Sequence, residues 1–293
     1  MYAADWRVLP AVKGCSDMKR ICVWFMAFML FAGTASAVTP AVVTHECGDF
    51  TYVALSAGVA QIVDWQGKEA ELEIPATLDG LAVTSIGECA FAECEGIRSV
   101  TLPASVTEIG EEAFANCVDL EDARLPEGLR RIGDLAFNGC EALTAITLPG
   151  SVDAVGDNPF RACENLYDIF VSPDSGYLYT QKGVLFSKPD ERLICYPKGL
   201  LAVRYVVPEG VRAIGAMAFE REKCLEEVVL PRTLRSIGNR AFDGCDGLRV
   251  MNLPASVTSI GDDAMRCSNL VLTVETELGV QYAQVDGTGS DGA

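Results

Sequence analysis

Apolar positions recur along most of this chain at a fixed pitch. Between Ile97 and Asp119 they fall at Ile97, Val100, Leu102, Val106, Ile109, Ala113, Phe114 and Cys117, and Leu120 opens the next copy. Val100 and Leu102 alternate with polar neighbours, which is the period of a strand with one buried side. Pro103 has no N–H to give a ladder and ends that strand. Val106 to Ile109 forms a second short extended piece that stops at Gly110, where a positive φ or a close backbone approach is expected. Glu111 to Asn116 then reads as a brief helical turn that carries Ala113 and Phe114 inward.

The unit is copied in tandem. Ile-Gly returns every 23 residues at Ile86, Ile109 and Ile132, as Val-Gly at Val155, and again at Ile214, Ile237 and Ile260. Leu-Pro recurs in step at Leu102, Leu125, Leu148, Leu230 and Leu253. A unit this short cannot bury its own apolar face, so it must stack on neighbours of the same shape and form a solenoid. Two columns of identical residues follow: Phe91, Phe114, Phe137, Phe160, Phe219 and Phe242, and Cys94, Cys117, Cys140, Cys163 and Cys245. The cysteine column reads as a ladder of buried thiols, each giving a weak S–H to a neighbouring carbonyl. Cross-linking between adjacent coils is the alternative, since their spacing permits disulfides and an exported protein meets oxidising conditions.

The pitch is broken once. Val155 and Ile214 are 59 residues apart, one repeat plus an addition of 36, which places an insertion at about 165–205. Five of the eight tyrosines lie in or beside it: Tyr167, Tyr177, Tyr179, Tyr196 and Tyr205. Tyr177 to Tyr196 reads as a hairpin, with Lys182-Gly183 and Lys188-Pro189-Asp190 as turn signals. Its tyrosines either form a small core of their own or make a contact patch, in which case Tyr177, Tyr179, Tyr196 and Tyr205 are the candidate ligand contacts.

Composition adds an address and excludes partners. Lys19-Arg20, the apolar run Ile21 to Ala32 and Ala35-Ser36-Ala37 read as a secretory signal with cleavage after Ala37. Met18 reads as the true start, so residues 1–37 are an upstream extension plus leader. Without them 19 basic residues face 39 acidic ones, a charge of −20. Nucleic acid and anionic membrane surfaces are thereby disfavoured, and no membrane insertion is expected after cleavage.

Two acidic columns need a reading. Glu88, Glu111, Asp134, Asp157, Asn239 and Asp262 follow the glycines, and the expectation is that each caps the turn after it. Glu95, Asp119, Glu141, Glu164 and Asp246 follow the cysteines. Bound calcium would relieve repulsion within such columns, but no calcium-loop motif supports it. A zinc site is disfavoured because C-x-x-C is absent and His45 is the sole histidine. No catalytic elbow, phosphate loop or dinucleotide fingerprint occurs, so neither an enzyme nor a cofactor is expected.

The motif L-x-x-[VI]-x-L-P-x-x-[VL]-x-x-I-G-x-x-A-F-x-x-C resembles the BspA-like leucine-rich repeats of bacterial and protozoan surface proteins, over about Phe50 to Leu272. Cys224, two positions past its place, Met265 in place of Phe and Pro159 in place of Ala are local departures. The resemblance implies a β-rich, leucine-rich-repeat-like solenoid of about 23-residue coils, with short parallel strands, a short helical turn and an N-terminal β-hairpin cap. The expected organisation is a linker at 38–48, the cap at 49–82, the solenoid at 83–272, and an edge with a flexible tail at 273–293. The role it implies is secreted or cell-surface recognition and adhesion, with an extracellular or surface protein or glycan as partner. A ligand-free spacer or envelope component is the alternative.

Overall fold

The computed structural model describes residues 43–55, 58–267, 270–276 and 279–284; the expected leader at 1–37 and the residues from 285 onward lie outside the described residues. The chain is a β-solenoid. Each coil contributes two short parallel strands, one from the Leu-Pro segment and one from the Ile-Gly segment. Ser99–Thr101 pairs with Asp122–Arg124 and Glu108–Ile109 with Arg131–Ile132, each partner lying 23 residues on. After the insertion Arg204–Val206, Glu227–Val229 and Val250–Leu253 continue the first kind of strand, and Ala213–Ile214, Ser236–Ile237 and Ser259–Ile260 the second.

Stacking turns the repeated apolar positions into continuous files. The rings of Phe91, Phe114 and Phe137 lie nearly parallel, with centroids 5.0 and 5.2 Å apart, and Phe219 and Phe242 stack at 4.8 Å. That is close to the inter-strand spacing of a β-sheet, so each coil adds one ring to the file.

The segment expected to be helical is not a helix. Alternate N–H groups, those of Glu112, Phe114 and Asn116, donate to carbonyls of the next coil at Asp134, Ala136 and Asn138 at 2.9, 2.8 and 2.6 Å. The N–H groups between them close tight turns within the coil, as from Ala115 to the Glu112 carbonyl at 2.9 Å. Glu112 and Asn116 therefore sit at φ of 50° and 59°, which no α-helix accommodates. Neighbouring coils compete for these donors, and tertiary pairing wins. The glycines of Ile-Gly are required by close approach: a Cβ on Gly133 would lie 2.5 Å from the backbone nitrogen of Glu111.

At the N-terminal end, Thr44–Cys47, Phe50–Leu55 and Val59–Trp65 form an antiparallel meander. Its last strand joins Leu81–Ile86 in parallel, and Trp65 lies 6.0 Å from Phe91, extending the ring file. Thr44–Cys47 falls in the segment expected to be a linker. His45 packs on Tyr52 at 5.2 Å, so a strand replaces linker there. Beyond the last coil, Val271–Thr276 pairs antiparallel with Gly279–Gln284.

The insertion contains the expected hairpin and one strand more. Leu178–Gln181, Val184–Ser187 and Arg192–Cys195 form an antiparallel sheet, with Lys182 and Gly183 at φ of 54° and 80° in its tight turn. The third strand then pairs in parallel with Ala213–Ile214, which puts Leu193 in the isoleucine column. All four residues of Val184–Ser187 are buried, because this sheet is covered on both faces. Leu185, Ile194 and Cys195 join the core on the N-terminal side, and Val184, Phe186, Leu193 and Tyr196 join the core on the C-terminal side. The insertion is a partition between two stacks of coils.

Candidate recognition surface

The partition decides where the tyrosines go. Only two residues separate Leu193 from Tyr196, against four between Ile214 and Phe219, and the shorter turn drops the Tyr196 ring into the phenylalanine file. It stacks on Phe219 at 5.0 Å and meets Tyr205 edge-on at 5.0 Å. Tyr196 and Tyr205 are 3% and 8% exposed, so neither presents a ring to a ligand. Burial raises the pKa of both phenols, and among the described residues the hydroxyl of Tyr196 finds no hydrogen-bond partner. Tyr179 is half-buried on Phe186 at 5.0 Å, and the Tyr177 hydroxyl is held 3.3 Å from Asp190 Oδ2. Of the four candidates, Tyr177 and Tyr179 alone keep part of their surface in solvent.

The exposed aromatic surface lies beside them, on the first-strand face. In Asp168–Val171 strand alternation buries Ile169 and turns Phe170 outward, leaving it 52% exposed, and Tyr167, which precedes the strand, is 53% exposed. After the partition Val203 and Val206 hold the same repeat positions and are 58% and 48% exposed. The corresponding positions of an earlier coil are Glu121 and Arg124, so these positions turn apolar near the junction; Val250 and Val271, 46% and 36% exposed, carry further apolar surface along later first strands.

Phe170 also lines a groove of about 370 Å³ in this face, together with Asp122, Arg124, Glu127, Ala145 and Thr147. The groove lies where the ladder of first strands parts: among the described residues no backbone hydrogen bond joins Asp122–Arg124 to Ala145–Leu148. Ala123 lies at this seam. Its inward position is Val100 one coil earlier and Ile146 one coil later, so the core there lacks the volume that seats its neighbours.

The cysteine column lies behind the opposite, turn-bearing edge. Cys117, Cys140, Cys163, Cys245 and Cys267 each donate to the carbonyl of a phenylalanine in the preceding coil, at 3.1, 3.2, 3.1, 2.9 and 3.0 Å. Cys94, in the first full coil, is half-buried, and its sulfur lies 3.9 Å from the Ala92 carbonyl. Burial pushes the Cys163 thiol up to about 12 and the Cys140 thiol well above its ordinary range. Glu222 occupies the column in place of a cysteine, and burial holds its carboxyl above the ordinary value.

The acidic columns work between coils and not within one turn. Asp134 Oδ1 accepts the N–H of Asp157 at 2.8 Å, and Asn239 Oδ1 that of Asp262 at 3.0 Å, each one coil on. Asp119 Oδ2 reaches back to the N–H of Gly96 at 3.0 Å. Burial, then the neighbouring Glu88 and Asp134, raise the Glu111 carboxyl. Arg192, from the insertion, enters this column against Asp157 Oδ1 at 3.0 Å.

Sequence reasoning missed one constellation. Six residues after each column isoleucine or valine stand Ala92, Ala115, Asn138, Arg161, Glu220, Asp243 and Arg266. Glu220 and Asp243 are adjacent buried carboxylates, with side chains 1% and 5% exposed. Arg161 pairs bidentately with Glu220, Arg240 bridges Glu220 at 2.6 Å and Asp243 at 3.1 Å, and Arg266 holds Asp243 at 2.8 and 3.0 Å. Burial raises the Asp243 carboxyl, but Arg266 and Arg240 more than offset this, and its pKa lies below the ordinary value. The change along one column from alanine to charge, with two carboxylates flanked by arginines, is the signal that marks this ladder.

Comparison with known proteins agrees with the fold. The family profile described as BspA type leucine rich repeat region matches residues 70–181 and 202–282 in six copies. No curated protein matches the sequence. Among solved structures, a leucine-rich repeat protein of Eubacterium ventriosum is 23% identical with a TM-score of 0.58, over 80% of this chain and 73% of that one. A leucine-rich repeat protein of Bacteroides capillosus is 38% identical over 44% of this chain and 98% of its own, with a TM-score of 0.41. A leucine rich cell surface protein of Faecalibacterium prausnitzii is 22% identical over 78% and 87%, with a TM-score of 0.36.

Proposed function

The chain belongs to the BspA-type leucine-rich repeat family, and from that premise we propose that it is an exported, non-enzymatic recognition module that binds another macromolecule outside the cell. The Lys19-Arg20 pair, the apolar run after it and Ala35-Ser36-Ala37 support export. No helix among the described residues is long and apolar enough to cross a membrane. The observation that carries the reading is the pair Tyr167 and Phe170, half-exposed aromatic side chains on the strand face, seated on a rigid core at the edge of a groove. Aromatic anchors held on regular elements are what an adhesive surface needs, because little side-chain entropy is lost on binding. A protein or glycan with an exposed apolar or cationic face is the partner class.

The test is capture of envelope and host-surface fractions on the immobilised protein. The double variant Tyr167→Ser/Phe170→Ser should lose a captured component that the parent retains, with melting unchanged. Retention of every component by the variant would move the contact elsewhere, and absence of any specific component would favour a ligand-free spacer.

A further inference from the structure

We infer that the parted seam between Asp122–Arg124 and Ala145–Leu148 is a binding site for an extended, lysine- or arginine-bearing polypeptide segment, which it takes up by main-chain hydrogen bonding; this deepens the recognition reading above and rests on it. Three observations converge. Among the described residues the seam is one of two interruptions of the first-strand ladder; the other, between Asp168–Val171 and Arg204–Val206, is where the insertion enters. Elsewhere on this face Asp122 N–H donates to the Arg98 carbonyl at 3.1 Å, and Tyr167 N–H to the Thr144 carbonyl at 3.1 Å. The equivalent bonds from Thr144 or Ala145 to Glu121, and from Leu125 to Thr147, are not formed among the described residues. Main-chain groups on the facing edges of both strands are therefore left without their ladder partners beside the groove, and an extended peptide lying in it can take them up by hydrogen bonding.

The groove also has the size and chemistry for a segment of a few residues. Its volume of about 370 Å³ is within the range of ligand sites. Phe170 supplies an apolar wall at one side, and Asp122 and Glu127 supply carboxylates at the other. Arg124 is already engaged with Asp122 at 3.0 Å, which leaves Glu127 as the surplus charge. On a chain of net charge −18 the field over the groove favours a cationic segment over an acidic one. Ala123 keeps the groove open: a valine there would match Val100 and refill the core, drawing the two strands into register.

The probe is a blocked pentapeptide, Lys-Val-Thr-Val-Lys, compared by calorimetry with Glu-Val-Thr-Val-Glu and with the lysine peptide N-methylated at alternate amides. The full chain should bind the lysine peptide and bind either comparison peptide at least about tenfold more weakly. On binding, hydrogen exchange at Leu125, Ala145 and Thr147 should slow. Ala123→Val should slow exchange at those amides without peptide and lower its affinity at least about tenfold. Should Ala123→Val fail to fold, Glu127→Lys keeps the groove and should abolish the preference for the lysine peptide. Equal binding of the N-methylated peptide, no binding of the lysine peptide, or slow exchange at these amides in the free parent would overturn the inference. Loss of this binding alongside capture that still depends on Tyr167 and Phe170 would leave the recognition reading standing. If that capture is also missing, both fall.

Discussion

Arg161 and Glu220 are 59 residues apart in sequence, yet they form a bidentate ion pair across the junction. They hold the same position in their repeats, so on the turn side the coil that precedes the addition packs on the coil that follows it. Asn158 repeats the relationship, with Nδ2 donating to the Met217 carbonyl at 2.6 Å across the same 59 residues. The extra residues thus thicken the strand side, while the turn side keeps its register. The insertion is locked into the solenoid by packing on both faces and by charge along one edge.

Among the described residues the buried Tyr196 hydroxyl has no hydrogen-bond partner, so removing it should help. Tyr196→Phe is expected to stabilise the chain by about 1 kcal/mol, since an unsatisfied buried polar group is deleted and the ring file is kept. Tyr196→Ser should cost about 3 to 5 kcal/mol, as for loss of a core aromatic. Urea denaturation of both variants checks this. A harmless serine substitution would place Tyr196 at the surface.

Acidification should act in two opposed stages. The Glu111 and Glu222 carboxyls are raised, each chiefly by burial, so the folded chain binds protons more readily than the unfolded one. Stability therefore rises as pH falls from 7 through their titration toward the ordinary carboxylate range. Asp243 is lowered on balance by Arg266 and Arg240, and its contribution is lost once pH falls below the ordinary aspartate value of 3.8. Melts at pH 7, 5 and 3 should show a maximum near the middle value, and Asp243→Asn should flatten the acid limb. A monotonic fall in stability from pH 7 downward would contradict the assignment.

Thiol chemistry should divide the cysteines by position. Burial keeps Cys140, Cys163 and Cys195 as thiols at pH 8, and their sulfurs lie within the core. Iodoacetamide at that pH should label the half-buried Cys47, Cys94 and Cys224 of the native chain and leave the ladder from Cys117 onward unlabelled until denaturant is added. Mass spectrometry of the native digest decides the matter. Fast native labelling of Cys140 would mean that the coils separate readily.

What the sequence revealed and what it hid have separate physical causes. The 23-residue pitch, the phenylalanine file and the thiol column are readable because each repeats a core position, and a core position tolerates little variation. The turn from Glu111 to Asn116 looks helical because its composition suits a helix, and only the carbonyls of the adjacent coil divert its donors. The burial of Tyr196 depends on Leu193 assuming the place of Ile214, a register that spacing alone does not indicate. Arg161, Glu220 and Asp243 look like ordinary surface charge until the column they share is written out, and the seam at Ala123 shows only as missing volume.

The continuity of the solenoid across the insertion is tested most directly by a double-mutant cycle on Arg161 and Glu220. Glu220→Met should cost about 3 kcal/mol in urea denaturation, because Arg161 and Arg240 lose their shared carboxylate, and Arg161→Met should cost less, because buried Glu220 keeps Arg240. The double replacement should cost less than their sum by at least about 1 kcal/mol, within one cooperative transition. Additive effects, or two separate transitions for the residues before and after the partition, would show that the two stacks are independent and would contradict the account.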